Sequence, residues 1–166
     1  MIYFVTEQFI KDNTAITQNV DAKDLAPFIP MAVKTYVQPI LGYNFTNDLL
    51  IKFNDGTTSA EEDELIEFVQ YMTALWAAYD AIPNISFRVS NKGIQSQSGD
   101  YSASDGISVV EYIRTNVQKF AYIYEKNMRA FLELNKASFP LYLDKINQEI
   151  SAPDNQTNPN GSITFV

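Results

Sequence analysis

The spacing of apolar residues along the chain predicts a mainly helical protein. The clearest stripe recurs at steps of three and four, as one helix face does, and comprises Leu65, Phe68, Val69, Met72, Leu75, Trp76, Tyr79 and Ile82. Ser59 and Glu62 precede it with the spacing of an N-terminal capping box. Pro83 is expected to end this helix, because proline lacks the backbone N–H that a helix interior uses.

Two other helices are expected before this one. The first begins near Asp21, becomes regular around residues 25–27, and is expected to end before Pro39. The second covers residues 43–53 and stops at the turn that leads to Gly56. Both are amphipathic, so each is expected to bury one face in a shared core.

A last long helix is expected over residues 107–135. Its predicted core stripe is Val110, Ile113, Val117, Phe120, Ala121, Tyr124, Met128, Phe131 and Leu132. Shorter helical pieces are expected over residues 7–11, behind a Thr6 cap, and over residues 141–150. The fold class is therefore a helical bundle of about four main helices.

Residues 84–98 change from helical spacing to alternation, which predicts an inserted β-hairpin. Apolar and polar residues alternate from 85 to 90, and Asn91-Lys92-Gly93 supplies a turn before a return strand over 94–97. A hairpin cannot bury both of its faces against its own helices, so it is expected to project toward a neighbouring molecule. The residues expected to make that contact are Phe87, Arg88, Asn91, Lys92 and Gly93.

The composition changes at Ser151, which divides the chain into a helical domain over 1–150 and a flexible C-terminal tail over 151–166. The tail is rich in Pro, Asn, Gln and Asp, as an extended tether is. Its last residues are apolar. Ile163, Phe165 and Val166 are therefore expected to bind a neighbouring chain, as an added strand or as a plug in a groove.

The residue types present exclude several chemistries. The 166-residue chain contains no histidine and no cysteine, so Ser-His-Asp and Cys-His nucleophiles and the usual ligands of zinc and haem are missing. A net charge of -8 opposes binding to nucleic acid through a basic face. The most apolar stretch, residues 65–82, contains Glu67, Gln70 and Asp80, which makes it unsuitable as a membrane span. We therefore expect a soluble protein that is not secreted.

The remaining candidates for chemistry have structural explanations. The acidic run over 61–64 fans out around a helix instead of converging on a metal, and acidic residues stabilise a helix start. Asp80 is expected to meet Arg88 or Lys92. Core packing or subunit contact, in preference to stacking on bases or sugars, is expected for Trp76, Tyr79, Tyr112, Tyr122, Tyr124 and Tyr142. We expect no catalytic residue, no cofactor and no metal ion, and hence no enzyme.

Several segments form a pattern of helices, hairpin and turns that spans about residues 6–143. They are Ile16-Thr17-Gln18-Asn19-Val20-Asp21, Leu25-Ala26-Pro27-Phe28-Ile29, Tyr36-Val37-Gln38-Pro39-Ile40-Leu41-Gly42, Tyr79-Asp80-Ala81-Ile82-Pro83, Ser86-Phe87-Arg88-Val89-Ser90-Asn91-Lys92-Gly93-Ile94, Tyr112-Ile113-Arg114 and Phe139-Pro140-Leu141-Tyr142. This pattern resembles the head–tail connector (adaptor) proteins of tailed double-stranded DNA phages, and most closely their crAss-like branch.

The resemblance implies a virion structural protein, located in the neck between capsid and tail and assembled in the host cytoplasm. Such connectors form a homo-oligomeric ring of about twelve copies under the portal. The implied partners are the portal protein and adjacent neck or tail proteins. Genomic DNA would pass through the ring, where an acidic wall repels its phosphates.

Two other functions stay open at this point. A non-viral helical protein-interaction module would use the same helices to bind one partner, and would stay small in solution. An enzyme that uses carboxylates and a metal, such as a nuclease, ranks last, because no pair of acidic residues has a suitable spacing.

Overall fold

A computed structural model describes residues 3–90, 93–96 and 107–144, and the described chain is mainly helical, as predicted. The helices are α1 (Glu7–Asn13), α2 (Ala22–Leu25), α3 (Phe28–Ala32), α4 (Gln38–Leu41), α5 (Tyr43–Asp55), α6 (Ala60–Ser86) and α7 (Ile107–Leu134). A π-helical stretch (Val33–Val37) joins α3 to α4, and a 3₁₀ turn (Lys136–Ser138) follows α7. The two strands are β1 (Phe87–Ser90) and β2 (Gly93–Ser96).

The core lies between α6 and α7, and α1, α2, α3 and the π-helical stretch also pack on α6. Leu65, Val69 and Met72 of α6 and Met128 and Leu132 of α7 have no exposed surface. Removing a side chain of this kind from water contributes about 1.5 to 3 kcal/mol of stability. The predicted stripe of α6 is confirmed as its buried face, and the predicted bounds of α5 and α7 agree with the structure to within two residues.

The expectation that the first long helix ends before Pro39 is wrong. The backbone stays helical through the π-helical stretch and continues in α4 as far as Leu41. In a regular α-helix the proline ring would clash with the carbonyl four residues earlier. The π-helical turn just before Pro39 has a wider spacing, in which the Gln38 N–H donates to Val33 O five residues earlier, and the helical backbone continues past the proline. Gly42, with φ of 85°, then separates α4 from α5.

The expectation that Pro83 ends α6 is also wrong, because the helix continues to Ser86. Pro83 has no N–H to donate to the carbonyl of Tyr79, four residues earlier. Arg114 of α7 supplies the missing donor, since its Nε donates to Tyr79 O at 3.3 Å. A tertiary contact therefore satisfies the Tyr79 carbonyl, which has no donor within the helix because residue 83 is proline.

The predicted helix caps at Thr6 and Ser59 and the predicted stop at Gly56 are confirmed. Thr6 Oγ1 accepts a hydrogen bond from the Phe9 N–H at 3.2 Å. Ser59 and Glu62 form the reciprocal capping box, with the Glu62 carboxylate 2.9 Å from Ser59 N and Ser59 Oγ 3.2 Å from Glu62 N. Gly56, with φ of 66°, adopts the left-handed conformation that ends α5.

The strands β1 and β2 pair antiparallel, in a register that runs from Phe87 opposite Ser96 to Ser90 opposite Gly93. The expected start of the extended segment at residue 84 is wrong, because residues 84–86 belong to α6. Residues 140–144 are helical, as expected for the start of the 141–150 piece. The turn residues Asn91 and Lys92, the loop 97–106 and the tail lie outside the described residues.

Candidate interaction surface

A largely exposed row of residues, apolar except for two asparagines, runs along α7, and we call it the outer seam. Its members alternate at steps of four and three and are Val109, Ile113, Asn116, Phe120, Ile123, Asn127, Ala130 and Leu134. Phe120 is 57% exposed, Ile123 52% and Leu134 85%. This alternation is the repeat by which one helix packs along another. Among the described residues the seam faces solvent, and contiguous exposed apolar surface of this kind is typical of interaction sites.

The outer seam lies beside a second row that forms the core. Val110, Val117, Ala121, Met128 and Leu132 are buried against α6. The two rows are offset by one residue, which places them about 100° apart around the helix. Ile113 and Phe120 were predicted to be core residues but lie on the exposed row, at 38% and 57% exposure. α7 thus has two adjacent apolar faces, and its own fold uses one of them.

Two lysines border the outer seam on the side away from the core. Lys119 and Lys126 each precede a seam residue, and both are exposed. Among the described ion pairs neither takes part, whereas Arg129 pairs with Glu125 within the helix at 2.9 Å. In a chain of net charge -8, these lysines form a local basic flank.

An apolar cleft borders the other side of the outer seam. It has a volume of about 480 Å³ and lies between the end of α1 and the helices α6 and α7. Its lining is Asn13, Thr14, Ala15, Tyr71, Leu75, Ile113, Asn116, Val117, Phe120 and Tyr124. Tyr71 stacks on Tyr124 with ring centroids 5.0 Å apart, which fixes the floor between α6 and α7. The cleft therefore extends the apolar surface of the seam.

The contact residues predicted from the sequence lie elsewhere, at the far end of α6. Phe87 and Arg88 are in β1 and Gly93 is in β2. Asn91 and Lys92 lie outside the described residues, as do the tail residues Ile163, Phe165 and Val166. The outer seam was missed because its spacing was merged with that of the neighbouring core row. The four-three repeat from Val109 to Leu134 indicates that α7 carries a second row beside the one that begins at Val110, although it does not indicate which row is exposed.

An aromatic cluster around Trp76 joins the π-helical stretch, α6 and α7, in the part of α6 that precedes Pro83. Trp76 is 3% exposed and stacks on Tyr36 at 4.0 Å between centroids. Tyr79 and Tyr122 meet Trp76 edge to face at 5.4 and 5.2 Å. Core packing is thus confirmed for Trp76. Within the described chain, its Nε1 and the hydroxyl of Thr73 are buried without a hydrogen-bond partner.

Asp80 adjoins this cluster as a half-buried acid. Its Oδ1 accepts a hydrogen bond from the Tyr36 hydroxyl at 3.3 Å, a partner that sequence reasoning did not name. Burial raises the pKa of Asp80, while Tyr36 and Arg114 oppose that shift. Burial, together with the charge of Asp80, raises the pKa of Tyr36 to about 12. The hydrogen bond joins the π-helical stretch to α6.

The acidic run at the start of α6 serves the helix. Glu62 caps the helix and also pairs with Lys52 at 2.7 Å. The hydrogen bonds from Lys52 to Glu62 and then to Asp48 raise the pKa of Lys52. In the described part of the chain, no three acidic residues converge in a way that would hold a metal ion. The acidic residues of this run lie at the N-terminal end of α6, where the helix dipole favours negative charge, and this accounts for their arrangement.

The described helices include none with the length and apolar character that crossing a membrane requires. Comparisons with curated proteins and with solved structures return no match. Residues 37–152, from the end of the π-helical stretch onward, match a family of unknown function, DUF6712. The match covers more than half of the chain and includes the outer seam. The chain belongs to the DUF6712 family.

Proposed function

We propose that the chain is a virion structural protein, a head–tail connector (adaptor) that forms a ring under the portal. The ring would join the capsid to the tail and extend the channel through which DNA passes. Its partners would be the portal protein, adjacent neck or tail proteins and other copies of itself. Its place would be the neck of the virion, after assembly in the host cytoplasm.

The outer seam of α7 is the observation that supports this proposal most strongly. A monomer that stays alone gains nothing from exposing Phe120, Ile123 and Leu134 along one line, since each costs hydrophobic free energy in water. A subunit that is always flanked by neighbours buries such a line on assembly. The cleft beside the seam adds apolar surface to the same contact.

A structural role also fits the charge and the residue types. The chain has no histidine and no cysteine, and Glu62 and Asp80 are used in a cap and in a hydrogen bond between helices. We therefore assign it no catalytic activity. The net charge of -8 suits a channel wall that repels DNA phosphates.

We assign the inserted hairpin and the tail to contacts with neighbours. The strands β1 and β2 extend directly from the end of α6, with the predicted contact residues Phe87, Arg88 and Gly93 on them. At the other end of the chain, Ile163, Phe165 and Val166 would bind a groove or a strand edge of an adjoining component. Each would reach beyond the helical domain.

The test is assembly with the portal protein that the same genome encodes. The full chain and the portal are co-expressed, purified by a tag on the portal, and imaged by electron microscopy. We expect a ring of this chain on the portal. A variant that lacks residues 152–166 should still fold and bind the portal but recruit the tail proteins less well. A chain that binds no portal, and that instead captures one non-viral protein as a single copy, would identify it as an interaction module.

A further inference from the structure

We propose that the outer seam of α7 packs against the acidic face of α6 in the next copy of this chain. We call Glu64 and Glu67 the acidic face, since they lie three residues apart on one side of α6. The contact would repeat from copy to copy. The proposal rests on the connector function and names the surface by which its ring is built.

Charge complementarity identifies another copy of the chain as the occupant. Lys119 and Lys126 flank the seam, and Glu64 and Glu67 are exposed. Among the described ion pairs none joins these residues within one chain. The chain is acidic as a whole, so another copy presents negative charges that attract the basic flank formed by the two lysines. The seam and the half-buried Phe68, four residues after Glu64 on the receiving helix, supply the apolar centre of the contact, and the charges supply its rim.

A two-fold pairing of two α7 helices is less favourable than this contact. In an antiparallel pair, the register that sets Asn116 opposite Asn127 would satisfy both amides. The same register brings Lys119 beside Lys126 of the other copy, so that like charges meet. A contact between two different surfaces avoids this repulsion. Such head-to-tail contacts generate closed rings when the rotation between copies closes.

The first experiment reverses charges on either side and then on both. Lys119→Glu with Lys126→Glu should weaken self-assembly of the full chain about tenfold, and Glu64→Lys with Glu67→Lys should do the same. All four substitutions together should restore it to within about threefold, since the attraction is re-established with its signs exchanged. Lys34→Glu is a control for charge reversal elsewhere on the chain, because Lys34 is exposed outside both surfaces. Native mass spectrometry and sedimentation velocity measure assembly, with and without the portal.

A second experiment uses the absence of cysteine from the natural chain. Glu64→Cys and Lys126→Cys are placed in one chain and treated with a short bismaleimide. The proposed contact predicts a ladder of linked trimers and larger species, whereas either single variant gives dimers at most. A double variant that gives dimers alone would show a two-fold contact and overturn the proposal.

The outcomes separate this contact from the connector function. If the charge variants assemble as the natural chain does, or if the fourfold variant fails to recover, the contact is wrong. Rings that nevertheless form on the portal would leave the connector function standing. A crosslinked ladder from a chain that binds no portal would support the contact and refute the connector function.

Discussion

Arg114 is predicted to stabilise the fold because Pro83 leaves the Tyr79 carbonyl without its donor inside α6. Its Nε donates to Tyr79 O at 3.3 Å, and its guanidinium carbon lies 4.2 Å from the centre of the Tyr79 ring. A hydrogen bond from a charged donor is worth about 1.5 to 3 kcal/mol, and this long one belongs at the lower end. The cation–π contact adds about 0.5 to 1 kcal/mol, and the ion pair with the exposed Glu111 adds little.

Arg114→Ala should therefore lower the free energy of unfolding by about 2 to 3 kcal/mol. In a protein of this size the loss corresponds to a fall in Tm of roughly 5 to 10 °C. Urea unfolding followed by circular dichroism gives the free energy, and a thermal scan gives Tm. An unchanged slope m would show that the variant changes stability and not the extent of unfolding.

Pro83→Ala provides the decisive control. Alanine restores an N–H that can donate to Tyr79 O, so in this background Arg114 is needed less. We expect Arg114→Ala to cost at least about 1 kcal/mol less beside Pro83→Ala than in the natural chain. Pro83→Ala alone should stabilise the protein, since proline inside a helix is about 3 kcal/mol less favourable than alanine. Equal costs of Arg114→Ala in both backgrounds would refute the reasoning.

Three other predictions test the cap, the two faces of α7 and the buried acid. Ser59→Ala should cost about 1 kcal/mol in urea unfolding by removing the N-cap of α6, and no loss would contradict the capping role. Leu132→Ala should cost about 2 to 5 kcal/mol, whereas Leu134→Ala, at an 85% exposed position, should leave the monomer within about 0.5 kcal/mol; equal losses would contradict the assignment of faces. Burial raises the pKa of Asp80 above its ordinary value of 3.8, so the fold favours the protonated carboxyl. The contribution of Asp80 to the free energy of unfolding is therefore full below pH 3.8 and is lost as pH rises through the folded pKa. The free energy of unfolding of Asp80→Asn, relative to that of the natural chain, should therefore be higher at pH 7 than at pH 3.5. The opposite trend in urea unfolding would contradict this sign.

The candidate surface was harder to predict from the sequence than the fold was. The four-three repeat from Val109 to Leu134 is visible in the printed sequence, but so is the core row that begins at Val110. Periodicity shows that α7 has apolar rows and does not show which of them α6 covers. Ile113 and Phe120 were assigned to the core for this reason, and only their exposure in the folded chain corrects it. Whether the predicted contacts at Phe87 and Phe165 are made stays a prediction.

The sequence by itself determined the helical class and those boundaries that local chemistry sets. Ser59 with Glu62 caps α6 and Gly56 ends α5, because caps and left-handed turns involve residues only a few positions apart. Tertiary structure decided where proline is tolerated and which apolar row is exposed. Pro83 is tolerated inside α6 because Arg114, 31 positions later in the chain, donates to the Tyr79 carbonyl, for which Pro83 has no N–H. Contacts between residues distant in sequence carry no local signal, so the folded chain alone reveals them.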